Sequence, residues 1–260
     1  MSAFISRFSQ FSGLAVAQLY LVVAAITMYE VVARYLFHAP TQWAFEMVMV
    51  LCATAWMVSA GYVTLKNRHI GITVFYLMAS DRTKWGLDLF ALVLGVVAVF
   101  LLTNDTFGRA LDAIDNVERA GSAFNSPEPT LLKTALFLGA TAYLLQILVN
   151  LYQHFVNPIA RILVAIVAAV LVGRLVLYGV GHYFDGFFLS QWADQVVGWI
   201  AEAFDPRQLI NIRDYDIGTV SLFIVAALLA LMMTGMPLGV VTLLISIVCA
   251  LLFFGPKGIY

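Results

Sequence analysis

Apolar segments about as long as a lipid bilayer is thick recur along most of the chain. A helix needs about 20 apolar residues, each rising about 1.5 Å, to cross a hydrocarbon core of about 30 Å. Segments that approach or exceed this length lie at 13–37, 42–65, 85–103, 130–153, 158–180 and 217–254. The third continues as a predicted helix to about residue 116. The pattern predicts an all-α integral membrane protein.

The last apolar segment is about twice as long as one span requires. Gly235, Met236 and Pro237 lie near its middle, and glycine and proline interrupt helices. We therefore predict two short helices joined by a tight turn, which gives a bundle of about seven transmembrane helices. One long kinked helix is the first alternative. The second is a break at membrane depth that holds ions or carboxylates, as in transporters.

Composition and motifs exclude several classes of function. Charged residues make up 11% of the chain, against about 25% in soluble domains. The net charge of -1 offers no basic field for nucleic acid. The sequence contains no nucleotide-binding glycine loop, HExxH zinc motif or GxSxG nucleophile, so we predict that it is not an enzyme. We expect no metal and no cofactor, because the four histidines lie at or near predicted helix ends.

The distribution of lysine and arginine predicts the orientation in the membrane. Connections rich in these residues stay in the cytoplasm. The connection 66–84 is basic, whereas 104–129 and 182–216 are rich in acids. This places the amino terminus, with Arg7, and 66–84 inside, and the two acidic connections outside. The first apolar run is longer than the core of a cleaved signal peptide, so we expect it to be retained as a span.

Residues 190–204 have the pattern of an amphipathic helix at the membrane surface. Trp192, Val196, Trp199 and Ile200 fall on one face and polar side chains on the other. Tryptophan is favoured at the lipid interface, so we predict an interfacial helix here. The alternative is that this face packs on another subunit. Residues 70–80 are also apolar, but they are too short to span and are predicted to lie on the membrane.

The charges inside the predicted spans need partners, because an isolated charge in lipid is costly. Glu30 and Arg34 are four residues apart and can pair on one helix face. Glu46 begins the next helix, so we expect Arg34 to be able to reach it too. We interpret Glu30, Arg34 and Glu46 as a structural ion-pair cluster; a direct role in substrate passage is the alternative. We expect Lys133 to snorkel, and Arg174 to snorkel or to meet a partner subunit.

Residues from Tyr29 to Trp85 carry a family resemblance. The matching residues are Arg34-Tyr35-Leu36-Phe37, Trp43, Glu46, Gly61, Arg68-His69-Ile70, Ile72 and Arg82. Ser126-Pro127 and the run 138–151, which contains Gln146, match a further helix. Over about 13–155 the chain resembles the small permease subunit of tripartite ATP-independent periplasmic (TRAP) transporters. Thr73 stands where that family usually has an acid, so no role is carried over for that acid.

The run 229–239, with Gly235-Met236-Pro237, resembles the beginning of the large permease subunit of the same transporters. In that family the two permeases are separate chains or one fused chain. The resemblance implies a small-permease-like four-helix domain at 1–156 and a connector helix with an external amphipathic linker helix at 157–216. It further implies the first two helices of a large-permease-like region at 217–260. The chain then looks like the front part of a fused permease, split or truncated.

The resemblance also implies a function. The chain would be a scaffold subunit in the bacterial inner membrane, part of a sodium-coupled secondary transporter for organic acids. Its partners would be a large permease, a periplasmic substrate-binding protein and membrane lipid, with no nucleic acid. The alternatives are a membrane anchor of a redox complex, with haem or quinone ligands inside the bundle, and a structural membrane protein without a transport role.

Overall fold

The computed structural model describes residues 2–69, 74–183 and 216–254. In these residues helix is the only regular secondary structure, which confirms the predicted all-α class. The described helices are α1 (Ser2–Ala17), α2 (Leu19–Tyr35), α3 (Ala44–Leu65), α4 (Val74–Met78), α5 (Asp81–Asn116), α6 (Glu128–His154), α7 (Pro158–Tyr183), α8 (Ile217–Met233) and α9 (Leu238–Phe254).

Within the described residues, five helical stretches are long and apolar enough to cross a membrane: Phe4–Tyr35, Ala44–Leu65, Asp81–Asn116, Glu128–His154 and Pro158–Gly181. Helices α8 and α9 have 17 residues each and are therefore about 26 Å long. That length is at the lower limit for a span. The part of the chain that the structure describes thus supplies five long apolar helices and two short ones, against a predicted count of about seven.

The amino-terminal helix begins earlier than predicted. The apolar pattern places its start at residue 13, but α1 begins at Ser2 and runs into α2 with an irregularity at Gln18. Polar residues in α1 conceal this helix from a hydropathy criterion. One of them, Ser9, is buried and donates a 3.0 Å hydrogen bond to Oε1 of Gln146 in α6. Two polar side chains that satisfy each other can be buried at low cost.

Met1–Arg68 and Leu102–Val149 form one compact unit, here called unit 1. Its helices α3 and α6 approach closely at glycines. A Cβ atom on Gly139 would lie 2.3 Å from the carbonyl oxygen of Met57, and one on Gly61 would lie 3.3 Å from that of Ala142. Small residues permit such contact between membrane helices. Phe107 of α5 stacks on Phe137 of α6, with ring centroids 4.6 Å apart.

His69–Leu101 and Asn150–Tyr260 form the second unit, here called unit 2. The predicted turn between two short helices is confirmed, since α8 ends at Met233 and α9 starts at Leu238. Gly235 has φ +85°, a conformation that glycine adopts at no steric cost. It packs on Tyr76 of α4, whose hydroxyl donates a 2.9 Å hydrogen bond to Asp88. Burial, and then this hydrogen bond, raise the pKa of Tyr76.

Two segments, 70–80 and 190–204, were predicted to lie on the membrane surface. In 70–80 the described helix is only α4, which has five residues. The predicted interfacial helix at 190–204 lies outside the described residues.

Candidate functional site

A set of hydrogen-bonded polar and charged groups of unit 1 lies at one end of its helices, where α2 leads into α3 and α5 leads into α6. We call this region the polar end. It comprises the two connections 36–43 and 117–127 together with five charged side chains: Glu30, Arg34, Glu46, Glu118 and Lys133.

Glu30 ties the first connection to α2. The Nη2 atom of Arg34 lies 2.6 Å from Oε1 of Glu30, one helical turn away. The other oxygen of Glu30 accepts hydrogen bonds from the backbone N–H of Thr41, at 3.2 Å, and from the Thr41 hydroxyl. Tyr29 stacks on Trp43 across the same hairpin, with ring centroids 6.0 Å apart. Oε2 of Glu30 therefore holds the entry into α3, while Oε1 pairs with Arg34 within α2.

Glu46 holds the second connection. Glu46 lies in the first turn of α3 and is only 5% exposed. It accepts hydrogen bonds from the hydroxyls of Ser122 and Ser126 and from the backbone N–H of Ser126, at 3.1 Å. The partial positive charge at the start of a helix also favours a carboxylate at this place. Glu46 thus links α3 to the loop between α5 and α6.

This arrangement differs from the predicted cluster. Arg34 pairs with Glu30, whereas Glu46 is held by serines rather than by Arg34. The physical reason is that the connection 117–127 brings two hydroxyls and an N–H to Glu46. These donors stabilise a buried carboxylate without a cation.

The connection 117–127 is itself fixed by hydrogen bonds. Asn125, with φ +53°, accepts at Oδ1 from the N–H of Gly121 at 3.1 Å. Its carbonyl oxygen accepts from Nη1 of Arg119 at 3.0 Å. Lys133, which was expected to snorkel, forms a 2.5 Å ion pair with Glu118. The loop is therefore a defined surface anchored to α3 and α6.

The other predicted motif residues lie elsewhere. Arg68 and His69 follow α3 at the end opposite Glu46, and 22 residues of helix correspond to about 33 Å. Arg68 is exposed. His69 is partly buried, and this burial lowers the pKa of its imidazole. Arg174 is half-buried on α7.

The hydroxyl partners of the two glutamates, Glu30 and Glu46, were not predicted from the sequence. Thr41 and Ser122 carried no signal of their own, and Ser126 was noted only as a family match. The sequence pattern that could have predicted these hydrogen bonds is an acidic residue at a helix end, close to a short loop that contains serine or threonine. Which loop supplies the hydroxyl depends on tertiary packing.

The polar end has the chemistry of a structural site, in which carboxylates hold loops against helices. Its carboxylates are occupied by hydroxyl, amide and cationic donors. No group of three His, Cys, Asp or Glu side chains that could hold a metal ion occurs within 2–69, 74–183 and 216–254. The geometry serves to fix two loops against the helices.

The chain matches a known family across this region. The family model for the DctQ component of tripartite ATP-independent periplasmic transporters matches residues 23–157, just over half of the 260 residues. The chain belongs to the DctQ family. DctQ proteins are the small permease component of these transporters and work with a large permease and a substrate-binding protein. The predicted resemblance to the small permease is thus confirmed.

The DctQ match contains the whole polar end and the close contacts between α3 and α6. It ends at residue 157, directly before α7, so α7, α8 and α9 lie outside it. No curated protein matches the chain. The resemblance of the carboxy-terminal part to a large permease stays a prediction.

Proposed function

We propose that this DctQ protein is the scaffold subunit of a sodium-coupled, binding-protein-dependent transporter for organic acids. The family match carries the proposal. The protein would lie in the bacterial inner membrane and brace a separate large permease, which would contain the transport path. Sodium coupling and the organic-acid class come from the resemblance to TRAP transporters.

The scaffold role is supported by the hydrogen bonds and ion pairs that carboxylates in the matched region make within the protein. Glu30, Glu46 and Glu118 each have donors within hydrogen-bond distance at the polar end. Asp105 likewise pairs with Arg109 at 2.9 Å. A path for an ion or a carboxylate needs polar groups that are open to the passing ligand. Groups occupied in this way are suited to rigidity, and the fixed loop 117–127 is suited to docking a binding protein.

Uptake by proteoliposomes tests the proposal. Vesicles would contain this chain and its large permease, with the cognate binding protein added outside and an organic acid that this binding protein retains. We expect uptake under an inward sodium gradient and none after a sodium ionophore has dissipated it. We also expect none when this chain is the sole membrane protein. Accumulation by the chain alone, or uptake that is indifferent to sodium, would refute the proposal.

We further propose that the amino terminus and residues 66–84 face the cytoplasm, on the basis of the lysine and arginine distribution. Single cysteines at Arg68 and Ala123, in a chain whose Cys52 and Cys249 are replaced by alanine, would test this. Both sites are exposed. An impermeant thiol reagent added to intact spheroplasts is expected to label position 123 and to leave position 68 unlabelled. The reverse labelling would invert the topology.

We propose in addition that α7 is a connector and that α8 and α9 correspond to the first helices of a large permease. The support is the resemblance of 229–239, together with the character of α8. None of the 17 residues of α8 is buried, and Leu222 and Phe223 are 71% and 69% exposed. Such a helix has its surface available for further membrane helices.

A further inference from the structure

A groove in unit 2 runs between α5 and α7. Its volume is about 390 Å³, and all ten residues that line it are valine, leucine or phenylalanine. Val93 and Val97 of α5 and Leu163 and Val167 of α7 are its most exposed walls, each about half exposed. A groove of this chemistry, inside two spans, accepts a hydrocarbon chain and no polar ligand.

The corner between α6 and α7 lies next to this groove and is rich in aromatic rings. His154 stacks on Trp85, with ring centroids 5.1 Å apart, and Phe155 packs edge-on to both rings. Indole rings prefer the level of the lipid headgroups. Along α7, Leu163 is two residues beyond Arg161 in the first turn, and the last groove residue, Leu171, is about 15 Å beyond Arg161.

Arg161 is held at this corner with part of its guanidinium unused. Its Nε atom donates a 2.6 Å hydrogen bond to the carbonyl oxygen of Phe155, and the guanidinium lies 5.5 Å from the ring centroid of Tyr152. No carboxylate among the described residues pairs with it. The buried Nε2 atom of His154 likewise has no hydrogen-bond partner in the described part of the chain.

A fixed arginine with two remaining nitrogens suits a phosphate, which guanidinium groups bind with two hydrogen bonds. Basic pockets between transmembrane helices are known recognition sites for anionic lipid headgroups. Here the basic group and the apolar groove lie in the order that a phospholipid requires, with the charge at the interface and the groove deeper in the span.

We propose that this corner and groove form a binding site for one anionic phospholipid. Its phosphate would lie against Arg161, beside His154 and Trp85, and one acyl chain would lie between α5 and α7. The lipid would fill the groove and so join α7, which lies outside the DctQ match, to α5, which lies within it.

Native mass spectrometry of the full chain in detergent tests the acyl-chain part. The protein would be mixed with equal amounts of phosphatidylglycerol and phosphatidylcholine. Val167→Phe fills the groove, and Val170→Phe is its matched control, because Val170 is 65% exposed on the same helix and does not line the groove. We expect one retained phosphatidylglycerol in the native chain and in Val170→Phe, and its loss in Val167→Phe.

The headgroup part is tested by Arg161→Gln, with Arg68→Gln as a control for general surface charge. Loss of one interfacial arginine contact is expected to lower the preference for phosphatidylglycerol by about fivefold, with Arg68→Gln unchanged. Equal lipid retention in the two valine variants would overturn the proposal, as would an unchanged preference in Arg161→Gln. A change in oligomeric mass in Val167→Phe, without a change in bound lipid, would also overturn it and would identify a second copy as the occupant.

Discussion

Replacement of Gly139 by alanine is expected to destabilise the DctQ region by about 1–3 kcal/mol. The added Cβ would lie 2.3 Å from the carbonyl oxygen of Met57 and 3.1 Å from its Cβ. The nearest atom belongs to the backbone of α3, so no flexible side chain can move aside. Helices α3 and α6 must separate, which weakens the close packing between them.

The measurement is the loss of monodisperse protein on heating in detergent, compared among three alanine variants. Gly86 and Gly173 also lie within helices, but a Cβ on either meets no atom within 4 Å. Alanine there is expected to be neutral or to stabilise by up to about 1 kcal/mol, because it favours the helix more than glycine does. If Gly139→Ala is as stable as these two controls, the close contact between α3 and α6 is refuted.

Glu46→Ala is expected to lower the yield of folded protein several-fold and to release the connection 117–127. The change removes the acceptor for two serine hydroxyls and for the backbone N–H of Ser126. The residue Ser126 is buried, so its N–H would be left without a partner away from water. Limited proteolysis should cleave this connection faster in the variant than in the native chain.

Two further variants separate charge from hydrogen bonding. Glu46→Gln keeps a carbonyl acceptor for the N–H of Ser126 and is expected to give an intermediate yield. Arg34→Ala breaks an ion pair in which the arginine side chain is 52% exposed, and a smaller effect is expected. Native yield together with native protease resistance in Glu46→Ala would show that the serine contacts do not anchor the loop.

The sequence alone determined the features that depend on local length and composition. Long apolar runs fixed the class of protein, because only a helix can satisfy its own backbone in lipid. The glycine and proline near residue 236 predicted the turn between α8 and α9, since this conformation needs Gly235 at positive φ. The spacing of Glu30 and Arg34 predicted a pair that forms within one helix.

Features that join distant parts of the chain became evident only from the folded structure. Ser9 meets Gln146 and Glu46 meets Ser126 across 137 and 80 residues, and no local pattern identifies either partner. For the same reason the apolar pattern did not predict the start of α1. The close contact at Gly139 likewise could not be predicted among 18 glycines. Hydropathy describes each residue's preference for lipid or water, whereas a buried polar pair or a close backbone contact depends on which helix faces which.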